Sequence, residues 1–383
     1  MHTVAIKECG SYSIDLVKSV VDSCLDQLDE IKPFLVSGKK VLVKPNLLRK
    51  NKPEDCVTTH PMVVEAVASY LIDKGLKVII GDSPSGPLNK KLHEGIYRAT
   101  GMTDVAERLG CEIFNELTYD EVNNEKALKL RKMQVISVVQ EVDFVVCVAK
   151  LKTHCMMTYS GAVKNLFGVI PGLIKAEYHF KLNDELNFAN HLVDISEYVK
   201  PVISVIDAVD GMEGDGPSNG TKRHVGLIMA SDSPYALDSC AVRIAGIDSK
   251  KVPTIIAARE RGLFDDNTEN IRFPFLNITT AKQSPFKLPN TMMVNFIGGK
   301  FPKFIEDWVI KTLKSKPEFD HEKCISCGDC KRICPAKVIS FSEDKKPNAD
   351  HSKCISCFCC HEVCPQDAVK IKNHFLHKVI FKE

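Results

Sequence analysis

The sequence carries little net charge, and this limits the partners it can have. Its 383 residues include 51 lysines and arginines against 49 acidic residues, which gives a formal charge of +2. Proteins that bind duplex nucleic acid usually present a strongly basic surface. We therefore expect no nucleic-acid partner.

Long apolar segments are also missing. No uninterrupted apolar run approaches the roughly 18 residues that a membrane span needs. The opening residues, MHTVAIKECG, lack the basic and apolar regions of an export signal. We expect a cytoplasmic protein with no membrane partner, and the 44% hydrophobic content is enough for a globular chain of two or three domains.

Common cofactor motifs are absent as well. The sequence has no G-x-G-x-x-G after a strand and no G-x-x-x-x-G-K-[ST], so neither a dinucleotide fold nor a P-loop is indicated. A flavin is a candidate for a further bound acceptor, but no motif supports it. The acidic, glycine-rich stretch IDAVDGMEGDGPSNG offers carboxylates for a divalent cation, but a turn with capping aspartates is the alternative.

Cysteines, in contrast, are concentrated at one end. Of 16 cysteines, nine lie between Cys324 and Cys364, within two copies of a repeat, KCISCGDCKRICPAKVISF and KCISCFCCHEVCPQDAVKI. Each copy reads C-x2-C-x2-C-x3-C-P, which is typical of two-cluster ferredoxins. Zinc, which paired C-x2-C units also bind, is the alternative. The motif favours two [4Fe-4S] clusters.

The fourth cysteine of each run ligates the other cluster in such proteins. We therefore assign two ligand sets: Cys324, Cys327, Cys330 and Cys364 for the first cluster, and Cys354, Cys357, Cys360 and Cys334 for the second. Cys359 stands where the first copy has Asp329, and we expect a buried residue near the cluster, with an alternative ligand as the second interpretation. Residues 319–383 thus form a small α+β dicluster ferredoxin domain with a short tail.

The rest of the chain, residues 1–297, alternates apolar runs with helical patterns. This alternation predicts an α/β body with a mainly parallel sheet and helices on both faces. The expected core strands are 40–44, 77–82, 143–149, 202–207 and 225–231. Between body and tail, residues 298–318 have an apolar stripe at helical spacing and predict an amphipathic linker helix.

Polar residues follow several of these strands. Because ligands bind beyond the carboxyl ends of parallel strands, we expect them to form one site. His154, Lys150 and Lys152 are the candidate catalytic residues, with His179 as a further acid or base. The candidate binding residues are Lys44, Asn46, Asp82, Ser83, Thr153, Lys164, Asn165 and Asp207.

Six segments support a resemblance to a known family: KPNLL, GDSP, AKLKTH, GAVKNLFGVIPG, IDAVDGMEGDGP and ALDSCA. With these in order, residues from about 39 to 246 resemble the domain-of-unknown-function 362 family, many members of which carry a dicluster ferredoxin tail. The resemblance implies a fold type and a redox association, and no substrate. It points to the same lysines, Asn46, Asp82, His154 and Asn165.

Two functions fit these features. The first is an iron-sulfur reductase of anaerobic metabolism, which passes low-potential electrons to a small anionic substrate or bound acceptor. The second is a non-enzymatic electron carrier whose body docks a partner enzyme. Both require a redox partner protein.

Overall fold

The structure is a computed structural model that describes residues 1–86, 89–182, 184–289, 291 and 314–373. Its strands are β1 (His2–Glu8), β2 (Lys40–Pro45), β3 (Lys77–Ile80), β4 (Glu112–Ile113), β5 (Tyr119–Asn123), β6 (Lys132–Ile136), β7 (Phe144–His154), β8 (Thr158–Ser160), β9 (Ile203–Glu213), β10 (Thr221–Ser231), β11 (Ile271–Arg272), β12 (Lys316–Phe319), β13 (Ile339–Phe341), β14 (Pro347–Ala349) and β15 (Val369–Lys372).

The helices of the body are α1 (Ile14–Leu25), α2 (Pro61–Asp73), α3 (Lys90–Ala99), α4 (Met102–Leu109), α5 (Val138–Glu141), α6 (Ala162–Asn165), α7 (Ile174–Lys181), α8 (Glu185–Val199), α9 (Pro234–Ile244), α10 (Pro253–Glu260) and α11 (Ile278–Ala281). The ferredoxin region adds α12 (Asp329–Ile333) and α13 (Cys359–Val363). Short 3-10 helices span Asp29–Phe34, Pro53–Asp55, Leu166–Val169, Ser249–Lys251 and Thr268–Asn270.

The central sheet has the order β11-β1-β10-β9-β7-β2-β3-β4, with β8 paired to β7. The run from β9 to β4 is parallel, as helical crossovers between these strands require. In contrast, β10 is antiparallel to both β9 and β1. Residues 214–220, which join β9 to β10, are too few for a crossover helix. The predicted mainly parallel sheet is confirmed.

Two apolar cores lie on the two faces of this sheet. Alternation along β7 sends Val145 and Cys147 to one face and Val146 and Val148 to the other. Helices α1 to α4 cover one face, and α6 and α8 to α10 cover the other. The predicted α/β body with helices on both faces is therefore confirmed, together with a small C-terminal region of short strands and helices.

Two strands extend further than the apolar pattern predicts. The expected ends of β7 and β9 were residues 149 and 207, but the strands run to His154 and Glu213. Beyond its apolar run, β7 still pairs with β8 and β9, so the backbone stays extended. Residues 150–154, which were expected to follow the strand, are instead buried within it.

Most of the predicted linker helix, residues 298–313, lies outside the described residues. Its last residues, 316–318, belong to β12, which pairs antiparallel with β15 at the end of the ferredoxin repeat. They form a strand and not a helix because this pairing satisfies their backbone groups.

Candidate functional site between the body and the ferredoxin region

A buried ion pair lies at the carboxyl ends of two neighbouring parallel strands. Lys44, near the end of β2, and Asp82, just after β3, are brought together by the register of the strands. Their charged atoms are 2.8 Å apart, and both side chains are almost fully buried. The Asp82 carboxylate also accepts hydrogen bonds from the backbone N–H of Leu47 and Ser83. This network holds the residues at the base of the site in place.

The loop after α6, which contains the 3-10 helix Leu166–Val169, lies directly over this ion pair. At Gly168 an added Cβ would collide with the Asp82 carboxylate and the Lys44 ammonium. Asn165, at the end of α6, accepts a hydrogen bond from Lys44 Nζ at 3.3 Å and one from Asn46 Nδ2 at 3.1 Å. The glycine thus permits the close approach that joins this loop to β2 and β3.

Above this network is a cavity that we call the lysine cavity, after Lys152, Lys164 and Lys175. Its volume, including space open to solvent, is about 640 Å³. Its lining from the body includes Asn46, Asp82, Ser85, Lys152, Ser160, Lys164, Asn165, Gly168, Lys175, Ala176, His179 and Pro217. From the ferredoxin region it includes Ile333, Cys359, Glu362 and Val363. The cavity therefore lies between the two parts of the chain.

The three lysines differ in what they contact. Lys152 Nζ donates to the Val57 carbonyl at 2.7 Å, and Lys175 Nζ donates to the Ser83 carbonyl. Lys164 has no hydrogen-bond or ion-pair partner among the described residues. Burial lowers the pKa of Lys152 and of Lys175 to about 7, and it also lowers the pKa of Lys164. An anion in the cavity would favour the protonated form of all three.

Several polar atoms around the cavity have no hydrogen-bond partner in the part of the chain that the structure describes. They are Asn46 Oδ1, His179 Nδ1 and Glu362 Oε1, all of which are buried. Buried polar atoms are nearly always satisfied in folded proteins, by protein, water or ligand. The imidazole of His179 is held by stacking on Phe188, with ring centroids 4.2 Å apart, and burial lowers the pKa of His179 to about 3. These atoms are suited to contacts with a molecule in the cavity.

Glu362, on α13, brings an acidic group from the ferredoxin region to His154. The two side chains are 3.1 Å apart at Oε1 and Nε2, but they are not aligned for a hydrogen bond. His154 Nδ1 accepts from the backbone N–H of Met156 and Met157, so its proton must lie on Nε2, facing Glu362. Burial lowers the pKa of His154 to about 4, so it is neutral at pH 7. His154 therefore connects the two parts of the chain.

The structure separates the sequence-predicted residues into two groups. Asn46, Asp82, Lys152, Lys164 and Asn165 line the lysine cavity, while Lys44 and Ser83 lie directly behind it. His154, Lys150, Thr153 and Asp207 do not line it.

The residues away from the cavity have partners within the body. Lys150 forms a fully buried ion pair with Asp207 at 2.9 Å, across the register of β7 and β9, and Tyr12 bonds to both. Thr153 Oγ1 donates to the Gly214 carbonyl at 2.7 Å. These contacts hold β7 in place.

The other acidic residues of the glycine-rich stretch are also paired. Asp210 contacts Lys222 at 2.7 Å and His224 at 2.8 Å, and Glu213 contacts Arg223 at 2.8 Å. Among the described residues, no group of three or more His, Cys, Asp or Glu could hold a metal ion. A divalent cation therefore has no support at this stretch.

Sequence reasoning missed three cavity residues. Lys175 lies on α7, outside any motif, and Glu362 stands within the cysteine repeat as an apparent spacer. Cys359 is buried as expected, and it faces the cavity together with Ala176 and Ile333. The signal that could have identified Glu362 and Cys359 is the repeat itself, because the first copy has Arg332 and Asp329 at these positions.

The ferredoxin cysteines lie close to one another. Cys324, Cys327, Cys330 and Cys364 line one small cavity. Burial raises the pKa of Cys360 well above its usual value, and interaction with Cys357, Cys354, Cys334 and also Cys330 raises it further. In an iron-sulfur cluster each thiolate binds a different iron, so the four need not converge on one ion. The residues present fit two such clusters.

These features define an iron-sulfur protein in which an α/β body is fused to a ferredoxin-like electron-transfer domain. The description "4Fe-4S dicluster domain" matches residues 323–368. The domain of unknown function DUF362 matches residues 41–243, and the chain belongs to this family.

Two known proteins show different degrees of similarity. The thylakoid-associated protein sll1697 of Synechocystis sp. is 31% identical over 298 residues, which cover 76% of this chain and 89% of that protein. The lactate racemase apoprotein of Thermoanaerobacterium thermosaccharolyticum aligns with a TM-score of 0.41 and 12% identity, over 64% of this chain and 57% of that one. In the part of the chain that the structure describes, no helix is both long and apolar enough to cross a bilayer.

Proposed function

We propose that the protein is an iron-sulfur reductase that passes electrons to a small anionic substrate or bound acceptor in the lysine cavity. One observation carries this proposal: α13, which lies between two cluster ligands, Cys357 and Cys364, also forms a wall of the cavity. An acceptor in the cavity would therefore lie beside the ferredoxin domain, and electron transfer would need no domain movement.

Two [4Fe-4S] clusters would be held by the two ligand sets that the repeat predicts. The first is Cys324, Cys327, Cys330 and Cys364, and the second is Cys354, Cys357, Cys360 and Cys334. Each cluster, when bound, supplies one electron at a time. Cys330 interacts with Cys360 as well as with its own set, which supports neighbouring clusters.

The two clusters would have different surroundings. Cys357, of the second set, packs with Cys359 and Ile333 against Ala176 of the body. In the first set Cys327 is exposed, and the neighbouring Ile325 is 61% exposed. The second cluster would thus face the acceptor, while a redox partner protein would deliver electrons at the first.

The cavity residues would bind the acceptor and supply protons. Lys164, which has no partner among the described residues, would attract its anionic group, together with Lys152 and Lys175. A group with a pKa near the working pH is the most effective acid or base, and Lys152 and Lys175 meet this condition. In this proposal His154 and Lys150, expected from the sequence as catalytic, act as positioning residues.

Reoxidation of the reduced clusters tests this function. The reconstituted protein would be reduced anaerobically, and the recovery of cluster absorbance would be followed after adding α,β-unsaturated or 2-oxo carboxylates. At least one carboxylate should speed recovery about tenfold or more in the wild-type protein. Lys164→Ala should abolish this acceleration, while the exposed ferredoxin residue Lys323 provides the control Lys323→Ala.

The electron carrier remains the competing function, and the same assay distinguishes it. A carrier would be reoxidised by a soluble electron-accepting protein such as a cytochrome c, at equal rates in the wild type and Lys164→Ala. If no carboxylate in the panel speeds reoxidation while the cytochrome does, the reductase proposal fails.

A further inference from the structure

A second cavity opens beside the lysine cavity. This outer cavity has a volume of about 730 Å³ including space open to solvent, and it shares Ser85, Ile333 and Val363 with the lysine cavity. Its remaining lining is Arg49, Lys50, Gly86, Leu92, Ile96, Leu173, Asp329, Arg332 and Pro365. The shared residues make the two cavities parts of one cleft between the body and the ferredoxin domain.

The outer cavity has a different chemical character from the lysine cavity. Half of its twelve lining residues are apolar: Leu92, Ile96, Leu173, Ile333, Val363 and Pro365. Leu173 is 42% exposed, although it is a large aliphatic residue next to a cavity.

The charges of the outer cavity are largely paired within the described residues. Arg49 Nη2 contacts Asp367 at 2.8 Å, and Arg332 contacts Asp329. The lysine cavity, in contrast, contains Lys164, which has no hydrogen-bond or ion-pair partner among the described residues. The cleft therefore offers an anion-binding end and an apolar end.

The start of α7 joins these two ends. Leu173, immediately before the helix, lines the outer cavity, and Lys175, in its first turn, lines the lysine cavity. A ligand whose anionic group lies near Lys175 could place an apolar chain against Leu173. Such a chain would remove exposed aliphatic surface from water, which is favourable in proportion to the area buried.

We propose that the cleft binds an amphipathic monocarboxylate, with its carboxylate in the lysine cavity and an aliphatic or aryl tail in the outer cavity. This inference rests on the proposed function and names its substrate class. The tail supplies affinity through apolar burial, and the carboxylate supplies orientation. Short polar anions would bind the same lysines more weakly.

Binding of a chain-length series tests the inference. Acetate, butyrate, hexanoate and octanoate would be titrated into the reconstituted holoprotein by calorimetry. Affinity should rise by up to about fourfold per added methylene until the outer cavity is filled. Leu173→Asn should flatten this rise and leave acetate binding unchanged, whereas Lys164→Ala should weaken every member by a similar factor. Leu128→Asn is the matched control, because Leu128 is 58% exposed and lines neither cavity.

Each other outcome identifies what has failed. Equal affinity for acetate and octanoate would show that the outer cavity does not bind an apolar tail. This result would overturn the inference, but it would not contradict the reductase proposal. If Leu173→Asn does not change the increase in affinity with chain length, the tail binds elsewhere and the inference is overturned. Tighter binding of suberate, the dicarboxylate of octanoate's length, would show that the outer cavity selects a second anion, which also overturns it. If no carboxylate binds, the anion site of the proposed function fails as well.

Discussion

At the scale of single residues, the lysines of this protein have distinct roles that their sequence context does not reveal. Lys44 and Lys150 are each paired with a buried aspartate, at 2.8 and 2.9 Å. Removing one partner of such a pair leaves an uncompensated buried charge, which typically costs about 3–5 kcal/mol. These lysines stabilise the fold, whereas Lys164 lacks a partner among the described residues and is suited to a ligand.

Anion binding should depend on pH near neutrality. Burial lowers the pKa of both Lys152 and Lys175 to about 7, so both lose their positive charge as the pH rises through that value. The affinity for acetate, measured by calorimetry, should therefore fall by about tenfold or more between pH 6 and pH 9. Lys175→Met keeps the length of the side chain without its charge and should show a smaller decrease. An affinity that stays constant over this range would contradict the role of these lysines.

The sequence predicted where the site lies better than it predicted which contacts the residues of the site make. Counting His179, six of its twelve candidates line the cavity, and strand order with the carboxyl-end rule accounts for Asn46, Asp82 and Lys152. It could not show that Lys150 faces Asp207, since that contact depends on the register between β7 and β9. Lys175 belongs to no motif, so only the packed chain reveals it, whereas Glu362 could have been noticed because the first copy of the repeat has Arg332 at that position.

At the scale of elements, the short helix α6 is held by a carboxylate from another helix. Asp238, on α9, accepts from the backbone N–H of Ala162 at 2.7 Å and of Val163 at 3.0 Å. The Tyr159 hydroxyl adds a third hydrogen bond, and burial raises the pKa of Asp238 to about 7. The segment ALDSCA, noted in the sequence only as a resemblance, thus positions Lys164 and Asn165, which α6 carries.

The loop after α6 gives a prediction at this scale. Gly168→Ala would force a Cβ into the Lys44–Asp82 pair, so the loop must shift. We expect a loss of about 1–3 kcal/mol in the free energy of unfolding, as overpacking usually gives, together with weaker acetate binding. Chemical denaturation and calorimetry would measure the two effects.

Gly10→Ala is the control for this change, since an added Cβ there meets nothing within 4 Å. Equal stability and equal acetate affinity for Gly168→Ala and Gly10→Ala would show that the loop does not depend on close approach to the ion pair.

At the scale of the whole molecule, the ferredoxin domain completes the cleft by docking on the body. The contacts across this interface include Glu362 with His154, Asp367 with Arg49 at 2.8 Å, and His361 Nε2 with the Asp215 carbonyl at 3.2 Å. The sequence predicted both parts of the chain but not the interface between them, because hydrophobic periodicity and cysteine spacing describe each part separately. The two copies of the repeat nevertheless differ at the residues that form this interface. The second copy has buried His361 and Glu362 where the first copy has exposed Lys331 and Arg332.

The difference between the two copies provides the last prediction. Glu362→Arg gives the second copy the residue of the first and places a cation near Lys164, Lys152 and His154 in a buried site. Like charges at such close quarters repel strongly when water is excluded, so we expect the ferredoxin domain to separate from the body. The radius of gyration from small-angle scattering should increase, and acetate affinity should fall at least tenfold, while the iron content stays unchanged. A charge reversal at an exposed residue of the first copy that lines neither cavity, Lys331→Glu, should alter neither the radius nor the affinity by a comparable amount. If Glu362→Arg keeps the wild-type radius and affinity, the docked arrangement does not depend on this contact, and the cleft would need another explanation.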